Sequence, residues 1–341
     1  MSEAQLIRLE HGSGGALSRE LVEAVIYPAF RSEAYPELSD ASPITPGADI
    51  LVTTDGYVVD PPFFPGGDIG RLAVFGTCND LAVSGAQPVC LTLALILEEG
   101  FPIENLRRVL RSASEAAREA GVRVVTGDTK VVPRGAGGGI YITTTGIGRR
   151  CFPHPLSPSR IREGDLVIVS GPVGSHGIAI LAARESLPVG AGLRSDAALL
   201  FPLASGLFGL GQSLCFMRDA TRGGVAAVLN EIAAPGAGDT RSWGIEVEEE
   251  SFPINPEVRT VADLLGLNPL EVANEGVLVA VVSAPACDEA LRILHVHPLG
   301  RDARVVGRVT TLRPGTVVLR TRIGGRRILD FPRGLLLPRI C

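Results

Sequence analysis

The sequence predicts a globular protein of two domains, each mixing strands and helices. Three observations carry this expectation. The chain has 341 residues, enough for two full cores. Strand-length apolar runs alternate with amphipathic helical runs along its length. The segment Cys151 to Ser159 holds three prolines and interrupts that pattern as a linker. Apolar residues make up 45% and charged residues 20%, a balance typical of a soluble protein. The longest apolar run, Pro88 to Leu97, is too short to span a bilayer. Met1 to Gln5 lacks the basic start and apolar run of a secretory signal. The six cysteines contain no Cys-x-x-Cys pair, which argues against a zinc site and a disulfide framework and for a reducing cytoplasm. A net charge of −5 does not favour nucleic acid as a partner.

Taken in order, His11 to Gly15 opens with a loop in which Gly12, Gly14 and Gly15 let backbone N–H groups approach an anion closely. Ile50 to Thr54 reads as a buried strand ending at Asp55-Gly56. A proline- and glycine-rich loop, Asp60 to Asp68, follows. Asp68 is placed as the N-cap of a helix running to Leu81, inside which lie Asn79 and Asp80. Asp80 falls near the face of Ala73 and Gly76, where a buried carboxylate needs a partner or a metal. Pro88 to Leu97 is expected as a strand, Ile103 to Glu119 as an amphipathic helix, Arg123 to Thr126 as a strand ending in Gly127-Asp128-Thr129-Lys130, and Ile140 to Gly148 as another strand.

In the second half, Leu166 to Ser170 reads as a strand. It leads through a glycine loop holding His176 into a helix to Arg184. His176 is expected to be a hydrogen-bonded turn residue, and His295 and His297 to be structural. Leu199 to Gly211 is expected as a helix. Arg218 to Gly224 packs Asp219, Arg222 and two glycines before the helix Val225 to Ala233, a good place for an anion. A strand near Ile245, a helix Pro256 to Leu265, Glu275-Gly276 before the strand Val277 to Val282, and strands near Val305, Val317 and Ile328 complete the domain.

Chemistry is suggested by residues that stand out against this background. Of the 32 Lys plus Arg residues, one is a lysine, Lys130, and 31 are arginines. Arginine serves at every other cationic position, so the lone lysine is either a chance survivor of a composition bias or a candidate for a site where a guanidinium will not fit. Asp55, Asp68, Asp80 and Asp128 are hard oxygen ligands near glycine-rich backbone, suited to Mg²⁺ carrying a nucleotide phosphate. No Gly-x-x-x-x-Gly-Lys-[Ser/Thr] loop occurs. Glu275, at a strand mouth beside a glycine, reads as a general base or as a turn residue. The chain ends Leu337-Pro338-Arg339-Ile340-Cys341. Pro332, Gly334 and Pro338 forbid a continuing helix, so the residues after Asp330 are expected to form an extended, mobile tail. At ~3.3 Å per residue that tail reaches about 30 Å, so Cys341 reads either as a swinging thiol carrier or as the end of a frayed terminus. Ten arginines between Arg301 and Arg339 stand against only Asp302 and Asp330, a solvated basic face.

Taken together, His11–Gly15, Thr54–Gly70, Gly76–Gly85, Val125–Val132, Thr143–Gly148, Arg218–Gly224, Leu229–Ala233, Ala273–Gly276 and Leu337–Cys341 resemble the HypE family of hydrogenase maturation factors. That family lies in the superfamily of aminoimidazole ribonucleotide synthase and selenophosphate synthetase. The aspartate and glycine motifs are shared across the superfamily, whereas the terminal Pro-Arg-Ile-Cys points to HypE. Gly56 stands where a serine is usual, and Ala136 and Gly138 replace polar residues. The resemblance implies a PurM-like α+β N-terminal domain (1–150) that binds ATP and Mg²⁺ and dimerises, an α/β C-terminal domain (151–330), and a mobile tail (331–341). It implies that a carbamoyltransferase, HypF, loads Cys341, that the thiocarboxamide is dehydrated with ATP to a thiocyanate, and that the cyano group passes to iron on a HypC–HypD scaffold. The site residues implied are Cys341, Lys130 and Glu275 for catalysis. Gly12, Gly14, Gly15, Thr54, Asp55, Asp68, Asn79, Asp80, Asp128, Asp219 and Arg222 are implied for the nucleotide, and Asp55, Asp68, Asp80, Asp128 and Asp219 for Mg²⁺. Spacing leaves open which of Lys130 and Glu275 is the base. Two other readings stay open: a superfamily enzyme acting on a free small molecule, and a non-catalytic carrier.

Overall fold

Helix α2 (Ile69–Val83) is the element on which the first half packs, buried on nearly every side because all but a few of its residues are apolar or small. The computed structural model describes residues 16–21, 23–24, 42–43, 49–190, 192–234, 242–332 and 339–341. Asp68 caps α2 as the sequence predicts, its Oδ1 accepting from the Gly70 and Arg71 N–H groups at 2.8 and 3.1 Å. One face of α2 lies on a five-stranded sheet in the order β1-β2-β7-β5-β6. Its strands are β1 (Ser42–Pro43), β2 (Ile50–Tyr57), β5 (Ala86–Glu98), β6 (Arg123–Val132) and β7 (Ile140–Arg150). The pair β3 (Phe63–Phe64) and β4 (Gly67–Asp68) forms a separate small hairpin. Helix α3 (Ile103–Glu119) packs on α2. The crossing is close at Gly70, where a Cβ would overlap the Val109 carbonyl oxygen. Gly70→Ala is therefore expected to overpack the contact and lower stability by about 1–3 kcal/mol. A melting temperature equal to wild type would show that the two helices separate freely.

Two aspartates that the sequence places just after strands lie inside them. β2 runs to Tyr57 and β6 to Val132, so Asp55 and Asp128 are strand residues. The reason is pairing: Asp55 lies opposite Thr144 on β7, and Asp128 opposite Ala94 on β5, and ladder bonds outweigh the low strand propensity of Asp and Gly. β6 is an edge strand, exposed along nearly its whole length.

The second half is a seven-stranded sheet in the order β14-β13-β10-β12-β8-β11-β9. The strands are β8 (Leu166–Val169), β9 (Leu214–Asp219), β10 (Gly244–Glu248), β11 (Leu278–Val282), β12 (Arg304–Thr310), β13 (Val317–Arg320) and β14 (Arg326–Ile328). Strand β11, flanked by β8 and β9, is wholly buried. One face packs on α6 (Gly224–Ala233). The other packs on α5 (Phe201–Leu207) and α8 (Cys287–Val296). Helices α4 (Ser175–Arg184) and α7 (Pro256–Leu265) pack on each other beside the sheet. A short helix, α1 (Ala16–Leu21), starts with its first N–H on the Pro332 carbonyl. The helix expected from Leu199 to Gly211 is shorter: α5 ends at Leu207 and tight turns follow, with Gly211 outside helical geometry. His295 and His297 are structural as expected, bonding the Ala303 carbonyl and the Leu299 N–H.

The chain end is not a free tail. Residues 333–338, including Leu337 and Pro338, lie outside the described residues, but Arg339 to Cys341 run beside Val58 to Asp60. The Val58 N–H donates to the Cys341 carbonyl and the Asp60 N–H to the Arg339 carbonyl, each at 3.1 Å. Ile340 and Cys341 are buried in the same apolar cluster as Tyr57, Val59, Phe64 and Ile69. The reason is composition: the apolar side chains of Ile340 and Cys341 gain by leaving water.

Candidate active site at the docked chain end

Register gathers the site. Leu278 of β11 lies opposite Asp219 of β9, so Glu275, just before β11, and Arg222, just after β9, leave the same end of neighbouring strands. β2 and α2 bring Thr53 to Tyr57, Gly76 and Asp80 to meet them from the first half. These residues, with Arg218, Asp219, Thr221, Glu231 and Cys341, line a cavity of about 260 Å³.

The Cys341 thiol lies within it, hydrogen-bonded to the Glu275 carboxyl, and burial pushes the thiol up to about 12. Docked, it is a neutral thiol. Glu275 is buried, and burial together with the charges of Asp219, Asp55 and Asp196 raises its carboxyl well above the usual range. Burial raises Asp55 as well, against the pull of Arg222 3.8 Å away. Cys341 when ionised, then Asp55 and Glu275, raise Arg222 above its ordinary value, so it stays a cation. Arg218 pairs with Glu231. Thr54 Oγ1 donates to the Thr144 carbonyl at 3.0 Å, and Thr53 Oγ1 donates to Asp80 Oδ2 at 2.8 Å.

Of the residues singled out in sequence, Thr54, Asp55, Asp80, Asp219, Arg222, Glu275 and Cys341 converge here. Others do not. Asp68 is occupied as a helix cap. Asn79 spends its amide on the carbonyls of Ala198 and Glu275 and on the Leu200 N–H, so it holds the Glu275 backbone. Asp128 and Lys130, two apart on one face of β6, form an exposed ion pair at 2.6 Å outside the cavity. Gly12, Gly14 and Gly15 lie outside the described residues.

Sequence reasoning missed three groups. Tyr57 is buried with its hydroxyl donating to Asp55 Oδ2 at 3.0 Å, aiming that carboxylate. Its signal was legible, since Tyr57 lies two residues after Asp55 and so on the same face of the strand. Asp196 accepts from the Glu275 and Gly276 N–H groups at 3.2 and 3.3 Å, and burial pushes it up to about 6. Nothing local marks Asp196. His176, expected to be a turn residue, is the second residue of α4 and bonds the Ile340 carbonyl from a buried position.

Residues 38–150 match the AIR synthase related protein N-terminal domain, and residues 162–320 the corresponding C-terminal domain. A carbamoyl dehydratase HypE from Rhizobium leguminosarum bv. viciae is 45% identical, covering 98% of this chain and 95% of that relative. A HypE solved in complex with HypF superposes with a TM-score of 0.85 at 42% identity, over 92% of this chain and 99% of that one. A HypE solved in complex with ATP superposes with a TM-score of 0.81 at 41% identity, over 98% and 100%. The chain belongs to the HypE carbamoyl dehydratase family, built on the two domains of the AIR synthase related proteins.

Proposed function

We propose that the chain is an ATP-dependent carbamoyl dehydratase whose substrate is its own C-terminal cysteine, carbamoylated by HypF. The observation that carries this is the Cys341 thiol seated in a cavity against Glu275 and Arg222. A thiocarboxamide on that sulfur places its oxygen and nitrogen among these groups. Bound ATP supplies the phosphoryl group that turns the amide oxygen into a leaving group, and Mg²⁺ the positive charge that offsets the phosphates. Arg222, a fixed cation, faces the charge that develops on that oxygen. One nitrogen proton leaves to solvent as the oxygen is phosphorylated. Glu275, in its ionised form, takes the other as the C–O bond breaks, phosphate departs with the oxygen and the C≡N bond forms, leaving a thiocyanate. Asn79 and Asp196 hold the Glu275 backbone in place.

Among the described residues no three His, Cys, Asp or Glu side chains form a ready-made metal cage. The donor set nevertheless fits Mg²⁺. Asp55, Asp80 and Asp219 are hard oxygens, and the charges of Asp219 and Asp55, which after burial raise Glu275, are a surplus of negative charge. Mg²⁺ is commonly held by one or two carboxylates with waters and substrate phosphates rather than by an all-protein cage. The test is intact mass. Incubation with the carbamoyl donor system should add a carbamoyl group at Cys341, and ATP should then remove one water. Water loss with a non-hydrolysable nucleotide would refute phosphorylation of the amide. Delivery of the cyano group to a HypC–HypD scaffold, and a cytoplasmic location, follow from the family reading; among the described residues no helix is long and apolar enough to cross a membrane.

We also propose a homodimer through β5 and the open edge strand β6. Val89, Ile96, Val124, Val125 and Val131 are exposed there on an open sheet edge, a surface that a second copy would cover. Such a dimer offers Lys130 and Asp128 of one chain to the cavity of the other. Lys130→Arg is then expected to load Cys341 and bind ATP but to dehydrate roughly a hundredfold more slowly. Mixing Lys130→Arg chains with Cys341→Ala chains should recover activity in the mixed dimers. Dehydration within a few-fold of wild type would remove Lys130 from the reaction, and no recovery on mixing would remove the cross-dimer placement.

A further inference from the structure

Helix α4 reads the backbone of the chain end at two points that the scheme above leaves unused. Arg184, its last residue, donates from Nη2 to the Arg339 carbonyl at 2.7 Å and also bonds the Asp60 carbonyl. His176, about two turns earlier, lies with Nε2 2.8 Å from the Ile340 carbonyl oxygen. A carbonyl oxygen only accepts, so Nε2 carries the proton. In the neutral ring Nδ1 is then an acceptor, and Ser195 Oγ, 2.7 Å away, donates to it. Ser195 Oγ in turn accepts from the Ala197 N–H at 3.1 Å. Burial lowers the imidazole to about 4, which keeps this neutral tautomer at physiological pH.

The loop after β2 holds the arrangement in place. The Ser195 N–H donates to the Pro65 carbonyl at 2.8 Å. A Cβ on Gly66 would lie 2.7 Å from the Ser195 carbonyl oxygen, so only glycine permits the approach. The Phe64 ring meets His176 edge-on at 5.6 Å. The chain end is itself held against its preference. Arg339 has a φ of +52°, and its side chain bonds the Val58 and Gly138 carbonyls.

We propose that His176 is a positioning residue for the dehydration: its Nε2–H, oriented by Ser195, grips the Ile340 carbonyl and so fixes the carbamoylated Cys341 against Glu275 and Arg222. This rests on the reading of Cys341 as the substrate carrier. The physical advantage is that a backbone grip one residue before the reacting group is indifferent to what the sulfur bears. It therefore holds the tail before and after dehydration without contacting the atoms that change.

The test uses the full chain with three substitutions. His176→Leu keeps the volume and removes the donor. His176→Gln places an amide N–H where Nε2 stood, and Ser195→Ala releases the tautomer. Two readouts are taken: single-turnover dehydration of the loaded chain, and alkylation of Cys341 by iodoacetamide in the unloaded chain without ATP, read by peptide mass. For His176→Leu, dehydration should fall roughly a hundredfold, with loading and ATP binding unchanged. Alkylation should rise about tenfold, the equivalent of one hydrogen bond. His176→Gln should restore both to within a few-fold. Wild-type values for His176→Leu, or a Gln variant no better than Leu, would overturn the proposal. If the Leu variant does not fold, Ser195→Ala decides: a smaller fall in dehydration with a smaller rise in alkylation supports the grip, and wild-type values in both overturn it. A wild-type chain that loads but never loses water would refute the dehydratase reading, while the alkylation comparison would still measure the grip.

Discussion

Cys341→Ala is expected to abolish thiocyanate formation completely while leaving a folded protein that binds ATP. The loss is absolute because the sulfur is the atom on which the substrate is built. The fold survives because the docked thiol, raised to about 12, is neutral at pH 7, so its removal strands no charge. The cost is one buried sulfur, on the order of 1 kcal/mol. Thermal melting and nucleotide binding check the fold, and intact mass checks the chemistry. A variant that does not fold would show that the chain end is a structural strut rather than a carrier. Any cyano product in the variant would mean that the substrate is a free small molecule.

Glu275→Gln is expected to load Cys341 normally and to lose dehydration by about 10²–10⁴-fold, the span of a general base. It should also change how stability depends on pH. The Glu275 carboxyl is raised well above its ordinary value of 4.5, chiefly by burial and then by Asp219, Asp55 and Asp196. The folded chain therefore keeps a proton that the unfolded chain has released. Stability is full below that ordinary value and falls as pH rises through the folded one. Wild type should thus melt lower at about pH 8 than at about pH 5, and Glu275→Gln should flatten that slope. Asp196, raised to about 6, leaves a smaller slope of the same sign, largely spent by about that pH. An unchanged slope above that point would show that Glu275 ionises freely in the folded state. Full dehydration by the Gln variant would remove it as the base.

Much of this molecule was legible because it is governed by short-range rules. A capping side chain acts within three residues, which is why Asp68 could be placed at the start of α2. Periodicity separated strands from helices, and the motifs around Thr54, Arg218 and Glu275 carried the family resemblance. The same local rules erred at Asp128 and Lys130. Gly127 and Asp128 look like a turn, yet β6 continues through them because β5 supplies a ladder partner.

By itself, then, the sequence determined the order of most elements and the family resemblance, and it singled out Cys341 as the proposed carrier. The tertiary structure decided which of the marked residues share a cavity, and it brought in Tyr57, Asp196 and His176. It also decided that the chain end sits inside. The reason is the distance over which these contacts act. The His176 to Ile340 bond joins residues 164 apart, and the Asn79 to Glu275 bond residues 196 apart. No local propensity encodes such contacts. They arise only when the register of β9 on β11 and the packing of α2 between the two sheets carry those backbones to one place.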